Sequence, residues 1–167
     1  ELDLPEGAYE KAIKRYEDLG DWLSREESSL KDYEPHIFAQ GSFRLGTATK
    51  PLTGEDEYDL DLACKLKDGI AKNTHSQADL KEMIGKELEL YRNAIGIKDD
   101  VKEKHRCWRL EYQDDLSFHM DIVPCIPESS QRRQDIFESL TKSGAEESIA
   151  RSASELTVSI TDDRNHN

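Results

Sequence analysis

Two aspartates, Asp59 and Asp61, have the residue type and the spacing for metal chemistry. They lie in the segment from Tyr58 to Leu66, where apolar and polar residues alternate. This alternation predicts a β-strand, on which residues two apart project from the same face. Their Cα atoms are then about 7 Å apart. Carboxylates at that spacing can converge on two Mg²⁺ ions about 3.5–4 Å apart.

A third aspartate, Asp121, lies in another alternating segment, Ser117 to Val123. We expect the alternate residues to face the core, with His119 and Asp121 on the polar face. The segment from His105 to Tyr112 also alternates, and the four acid-rich residues 113–116 between the two predict the turn of a β-hairpin. If the Asp121 strand pairs beside the Asp59 strand, three carboxylates meet.

A glycine–serine pair, Gly41-Ser42, is the second candidate element. It precedes residues 43–49, which we predict as a short helix stopped by Pro51. Free backbone N–H groups, a helix dipole and a hydroxyl suit an anion such as a triphosphate. Glycine also permits a close approach of the backbone.

Each element taken alone has an ordinary explanation. A strand with two aspartates is also typical of a solvated face, and Gly-Ser before a helix is also typical of a turn and cap. The acidic run 55–57 does not fit an EF-hand, because no glycine occupies the sharp turn and Leu60 continues a strand. We interpret His119 as an ordinary polar-face residue, because Mg²⁺ prefers oxygen ligands. Arg44 and Lys50 are interpreted as solvated surface charges.

The elements around these residues predict a mixed α/β (α+β) domain with a sheet covered mainly on one face. Residues 6–31 have the apolar spacing of one long helix, ended by Pro35. A second helix runs from Ser76, a plausible N-cap, to about Asn93, and Gly96 closes it. We expect residues 36–38 to form a short apolar approach to Gly41. The hairpin is expected to stop at two prolines, and the rest to be weakly helical with one more strand over 156–160.

The composition sets limits on the function. The chain of 167 residues carries 36 acidic and 23 basic residues, a net charge of −13. This charge argues against nonspecific binding of nucleic acid but is compatible with metal-bound nucleotides. No apolar run approaches the ~20 residues of a membrane span. No signal peptide is visible, and the three cysteines match no disulfide or zinc pattern, so we expect a cytoplasmic protein.

The combination of motifs resembles the polymerase-β-like nucleotidyltransferases, and among them the bacterial CD-NTases, relatives of cyclic GMP–AMP synthase and oligoadenylate synthetase. The similarity rests on Gln40-Gly41-Ser42-Phe43-Arg44-Leu45-Gly46-Thr47, on Asp59-Leu60-Asp61-Leu62, and on His119-Met120-Asp121-Ile122-Val123-Pro124. The segment Val158 to Arg164 also looks like one that follows the third aspartate in that family.

The resemblance implies a polymerase-β-like core, a mixed sheet with a long N-terminal helix. It implies that Asp59 and Asp61 bind both Mg²⁺ ions, with Mn²⁺ as an alternative. Asp121 would bind the metal at the attacking hydroxyl and help deprotonate it. Gln40, Gly41 and Ser42 would bind the nucleotide, with Ser42 at the β- and γ-phosphates.

The implied function is synthesis of a cyclic di- or oligonucleotide messenger from nucleoside triphosphates, ATP among them, in bacterial anti-phage signalling. Residues 1–167 would form a catalytic core that a further C-terminal helical region completes. Two alternatives stay open: nucleotidyl transfer to RNA or protein, and an inactive nucleotide-binding module. The nucleobases, the linkage, the ring size and any regulatory protein partner are left unassigned.

Overall fold

The computed structural model describes residues 6–40, 58–113 and 118–162. The helices of these ranges are α1 (Glu6–Ser24), α2 (Gln77–Ile95), α3 (Ser130–Lys142) and α4 (Glu147–Leu156), with a 3₁₀ turn at Lys31–Tyr33. The strands are β1 (Pro35–Ala39), β2 (Tyr58–Leu66), β3 (Lys102–Glu103), β4 (Trp108–Tyr112), β5 (Phe118–Pro127) and β6 (Val158–Ile160). The predicted helix at 43–49 lies outside the described residues.

The described strands form one mixed sheet in the order β1-β2-β5-β4-β3, and β6 pairs with the last part of β5. β2 and β5 are parallel, whereas the other pairs are antiparallel. Parallel neighbours need a long crossover connection, and α2 lies within the one between β2 and β5. The predicted mixed sheet and the antiparallel pairing of the two hairpin strands are confirmed.

The core lies between one face of the sheet and the helices α1 and α2. The two helices contact each other, α1 contacts β1, and α2 contacts β5. The buried cluster includes Leu19, Leu23, Leu60, Leu62, Ile84, Leu88, Leu110, Met120 and Ile122. The predicted alternation of β2 is confirmed, since Leu60 and Leu62 are buried and Asp59 and Asp61 are exposed. Ala63 departs from it, because it is fully buried although it shares the aspartate face.

Helix α2 has the ends that its sequence predicts. The Ser76 hydroxyl accepts a hydrogen bond from the Asp79 N–H, and the Asp79 carboxylate accepts one from the Ser76 N–H. This is a capping box, which satisfies two backbone groups at a helix N-terminus. Gly96 ends the helix with φ of 78°, a left-handed conformation that glycine adopts without strain.

The prediction of one helix over residues 6–31 is wrong at its C-terminal end. α1 ends at Ser24 because the following loop makes tertiary contacts instead of helical ones. The Ser29 N–H and the Arg25 guanidinium both donate to the Glu87 carboxylate of α2, each at 2.8 Å. Pro35 then begins a strand that the sequence analysis did not predict. Proline fits the first position of a strand.

The prediction that Pro124 and Pro127 stop the hairpin strand is also wrong, because β5 continues to Pro127. Pairing with β4 ends at Ile122, and pairing with β6 begins at Cys125. The Pro124 carbonyl accepts from the Thr161 N–H on that side. Proline has no N–H to donate in return, and Pro124 stands at the point where the partner of β5 changes from β4 to β6.

The remaining predictions for the hairpin and the C-terminal part agree with the structure in element type but not in every bound. The strand expected from His105 begins at Trp108, and the short β3 was not foreseen. The weakly helical region after Glu128 contains α3 and α4, and β6 falls within the predicted 156–160.

Candidate active site

The parallel pairing of β2 with β5 brings the candidate carboxylates to one place. Asp61 lies directly opposite Asp121, and Asp59 lies opposite His119. Neighbouring strands are about 4.8 Å apart. The sheet therefore places three aspartates on one face of two adjacent strands, as the sequence analysis required for a shared site.

Loss of hydration and the charge of this cluster both act on Asp61. Partial loss of hydration among the neighbouring residues raises the pKa of its carboxyl above the usual value, and the negative charges of Asp121 and Asp59 raise it further. Arg109 acts in the opposite direction without cancelling the shift. A carboxyl whose pKa is raised by like charges lies where an additional cation would be stabilised.

Arg109 of β4 is a site residue that the sequence analysis missed. Its Nε and Nη2 donate to the two carboxylate oxygens of Asp121, at 2.6 and 2.7 Å. Its Nη2 is also 3.8 Å from an Asp59 oxygen. These hydrogen bonds raise the pKa of Arg109 above its ordinary value, although burial opposes the shift.

Hairpin register explains why Arg109 was missed. A four-residue turn over 113–116 would set Tyr112 opposite Ser117, but the structure pairs Tyr112 with Phe118. The difference of one residue decides whether Arg109 or a neighbour faces Asp121. The sequence did carry one signal that could have placed Arg109 in the site: Arg109 lies on the polar face of an alternating strand.

His119 and Glu111 extend the charged face away from the aspartates. His119 Nδ1 is 3.4 Å from an Asp59 oxygen, and its Nε2 is 3.9 Å from a Glu111 oxygen. Glu111 also accepts from Lys102 at 2.5 Å, which lowers the pKa of the Glu111 carboxyl. These contacts agree with the interpretation of His119 as a polar-face residue.

The donor chemistry of the three aspartates fits Mg²⁺, a hard cation that takes oxygen ligands. Their present arrangement is not a finished metal site. Within residues 6–40, 58–113 and 118–162, no three His, Cys, Asp or Glu side chains are grouped so that they could hold a metal ion. Asp121 directs both carboxylate oxygens at Arg109, so a cation would have to share or take over this ligand.

The predicted nucleotide-binding segment can be followed only to its first residue. The Gln40 N–H donates to the Asp61 carbonyl at 2.7 Å, which holds Gln40 beside the aspartate pair. Gly41 and Ser42 lie outside the described residues, as do Arg44 and Lys50. Gln40 thus connects β1 to the site, whereas the proposed contacts of the next two residues stay predictions.

The mixed sheet and its N-terminal helix have the fold of the polymerase-β-like nucleotidyltransferases. Residues 35–125, more than half of the chain, match the family described as the nucleotidyltransferase domain of DncV-like cyclic GMP-AMP synthases. The chain belongs to this DncV-like nucleotidyltransferase family. The matched range contains every residue that the sequence analysis assigned to the site.

Two curated relatives are similar to the chain over 124 residues. One is a c-di-GMP synthase from Roseivirga ehrenbergii, 33% identical over 73% of this chain and 30% of its own length. Another is the cyclic dinucleotide synthase CdnG from Bradyrhizobium diazoefficiens, 29% identical over 74% of this chain and 27% of its own length. The chain therefore spans less than a third of these relatives.

Solved structures show the same fold. The Bradyrhizobium diazoefficiens CdnG, a CD-NTase solved in complex with GTP, superimposes with a TM-score of 0.58 at 26% identity, over 78% of this chain and 36% of that one. The DncV cyclic AMP-GMP synthase of Vibrio cholerae gives 0.55 at 13% identity, over 78% of this chain and 48% of that one. No helix in the described part of the chain combines the length and apolar character needed to cross a membrane.

Proposed function

We propose that the protein containing this chain joins nucleoside triphosphates into a cyclic di- or oligonucleotide and releases pyrophosphate. The observation that supports this best is the pairing of Asp61 opposite Asp121, with Asp59 two residues away, in a member of the DncV-like family. Divalent cations are general in CD-NTases. We propose Mg²⁺ as the cofactor, with Mn²⁺ as a substitute.

The proposed roles of the residues are those that the family resemblance implies. Asp59 and Asp61, adjacent on the exposed face of β2, would bind both cations. Asp121 would bind the cation at the attacking ribose hydroxyl and accept its proton. Gln40, Gly41 and Ser42 would hold the nucleotide, with backbone N–H groups and the Ser42 hydroxyl at the β- and γ-phosphates. A bound divalent cation supplies charge neutralisation on the attacking and leaving oxygens.

The relatives refine the substrate proposal. One is named for c-di-GMP, and CdnG was solved with GTP. We therefore propose GTP as a substrate beside the expected ATP. The proposal for residues 1–167 is that they form the catalytic core, completed by a C-terminal helical region. Anti-phage signalling stays a prediction from the family resemblance, and a cytoplasmic location stays a prediction from the cysteine pattern and the lack of a visible signal peptide.

The first test compares the whole protein with its Asp59→Asn/Asp61→Asn variant. Each is incubated with labelled GTP and ATP and Mg²⁺, and pyrophosphate release is measured together with the nucleotide products. We expect the double variant to lose product formation at least 100-fold, because general metal and acid–base contributions are of this order. Asp100→Asn is the matched control, since Asp100 is exposed and pairs with Arg92. Equal turnover by the double variant would overturn the assignment.

The products separate the alternatives. A low-mass, nuclease-resistant nucleotide supports cyclic messenger synthesis, whereas label on RNA or protein supports transfer to a macromolecule. Mg²⁺-dependent nucleotide binding with no turnover under any condition would favour an inactive binding module.

A further inference from the structure

Arg109 and Asp121 form a two-point charged pair on the candidate active-site face. Two N–H groups of one guanidinium donate to the two oxygens of one carboxylate, at 2.6 and 2.7 Å. Such two-point pairs between arginine and a carboxylate are stronger and more directional than a single hydrogen bond. The contact therefore fixes the direction in which both Asp121 oxygens point.

The sheet itself holds this pair in place. Arg109 is the register partner of Asp121 across β4 and β5, and Asp121 is in turn the partner of Asp61 across β2. The two side chains are only about a fifth exposed, 23% and 20%. An exposed pair of flexible side chains contributes little, but here the backbone ladder brings the two groups together before the side chains meet.

The position of Arg109 matters because a divalent cation would need the same oxygens. A cation bound by Asp121 requires carboxylate lone pairs that now accept from the guanidinium. The positive charge of Arg109 also lowers the negative potential near Asp59, whose oxygen is 3.8 Å away. Both effects oppose cation binding at this face.

We propose that Arg109 is a built-in competitor of the divalent cation at Asp121. This inference rests on the proposed function, which makes Asp121 a metal ligand. The guanidinium holds Asp121 until the cation displaces it, so that occupancy of the site requires the Arg109–Asp121 pair to open. Arg109 is thus a positioning residue that sets how tightly the aspartates bind metal.

The test measures binding of Mn²⁺ alone to the full chain, without nucleotide, by the loss of the free Mn²⁺ electron paramagnetic resonance signal. We expect Arg109→Gln to bind Mn²⁺ about tenfold tighter than the unmodified chain, because it removes hydrogen bonds between charged groups. Arg109→Lys should give an intermediate affinity, since lysine keeps the charge but loses the two-point geometry.

The matched control is Lys86→Gln, which also removes one positive charge. Lys86 pairs with Glu82 on the exposed side of α2, the helix that covers the opposite face of the sheet. We expect the Mn²⁺ affinity of Lys86→Gln to stay within about twofold of the unmodified chain. Lys86 is exposed and lies away from the aspartates, so salt screens its charge. An equal gain in Lys86→Gln and Arg109→Gln would overturn the inference, because net charge would then explain the effect.

Asp121→Asn distinguishes a failure of this inference from a failure of the proposed function. Weaker Mn²⁺ binding in Asp121→Asn, with no gain in Arg109→Gln, would overturn the competitor role while the metal site stands. Unchanged binding in Asp121→Asn, or no binding by any variant, would overturn both. Circular dichroism checks the fold of each variant, and if Arg109→Gln does not fold, Arg109→Lys decides by the same criterion.

Discussion

The two faces of strand β2 perform opposite tasks within the same few residues. Leu60 and Leu62 are 1% and 0% exposed and pack under the helices. Asp59 and Asp61, which alternate with them, face outward, and the Asp59 side chain is 67% exposed. One strand therefore contributes both to the core and to the candidate active site.

The difference between the faces shows where stability and function come from. Apolar burial stabilises the fold at about 25 cal/mol for each Å² removed from water. The aspartate face does the reverse, since loss of hydration and then the neighbouring negative charges raise the pKa of Asp61 and thus disfavour its ionised form. Substitutions on the apolar face should therefore affect stability, and substitutions on the aspartate face should affect binding and turnover.

The largest effect on stability is expected from Leu62→Ala. Leu62 is fully buried at the centre of the sheet, between its partners Ala39 and Ile122. We expect a loss of about 2–5 kcal/mol in the free energy of unfolding, from lost transfer energy and the cavity. Urea denaturation measures it, with Asp61→Asn as the adjacent control that should not destabilise. A similar loss in both variants would contradict the division between the faces.

A smaller loss is expected from Gly85→Ala, on the helix that covers the apolar face. A Cβ at this position would lie 2.4 Å from the Trp108 ring, so the ring must shift. Overpacking of this kind costs about 1–3 kcal/mol. Gly20→Ala in α1 is the control, because its Cβ would meet Ile37 at an ordinary 3.9 Å.

Thermal unfolding should therefore give a lower midpoint for Gly85→Ala and an equal or higher one for Gly20→Ala, since alanine favours helix. Equal midpoints for the two variants would show that Trp108 moves aside without cost.

The N-terminus of α2 offers a still smaller effect. Ser76→Ala removes the side-chain oxygen that accepts from the Asp79 N–H. Loss of such a cap costs about 1 kcal/mol. Ser152→Ala, at an exposed position within α4, should leave the unfolding free energy unchanged or slightly raise it, since alanine favours helix. A neutral result for Ser76→Ala in urea denaturation would mean that packing alone fixes the start of α2.

The smallest expected effect is on the pH dependence of the melting temperature, where Asp61 and Glu87 should act in opposite directions. The pKa of Asp61 is raised in the folded chain, so its ionisation destabilises the fold at neutral pH. Asp61→Asn should raise the melting temperature slightly at pH 7, and the difference should vanish as the pH falls below the unfolded pKa of Asp61. If the difference in melting temperature between Asp61→Asn and the unmodified chain did not change with pH, the charge of Asp61 could not be its cause.

Glu87 should show the opposite sign. Burial raises its pKa, but hydrogen bonds from the Ser29 N–H and Arg25 outweigh this, so that the net pKa is lowered. Its charge therefore stabilises the fold above the unfolded pKa, and this stabilisation is lost as the pH falls through the folded pKa. Glu87→Gln should melt lower than the unmodified chain at pH 7, by a margin that shrinks in acid.

Local sequence patterns predicted the helices and strands whose bounds do not depend on contacts with distant residues. The alternation from Tyr58 to Leu66 defined β2 with its bounds, and the Ser76 and Gly96 signals located both ends of α2. The end of α1 was not predictable in this way, because it depends on Glu87, about 60 positions further along the chain. Likewise, Pro124 remains in β5 because β6 replaces β4 as its partner.

The sequence by itself determined which residues share a face, because side chains alternate along any strand with a period of two. This places Asp59 with Asp61, and His119 with Asp121. Only the tertiary structure decided the register, which sets Asp61 opposite Asp121 and Arg109 on the other side of it. Register depends on pairing between segments far apart in the chain and on the length of a turn, and a shift of one residue would change every cross-strand neighbour.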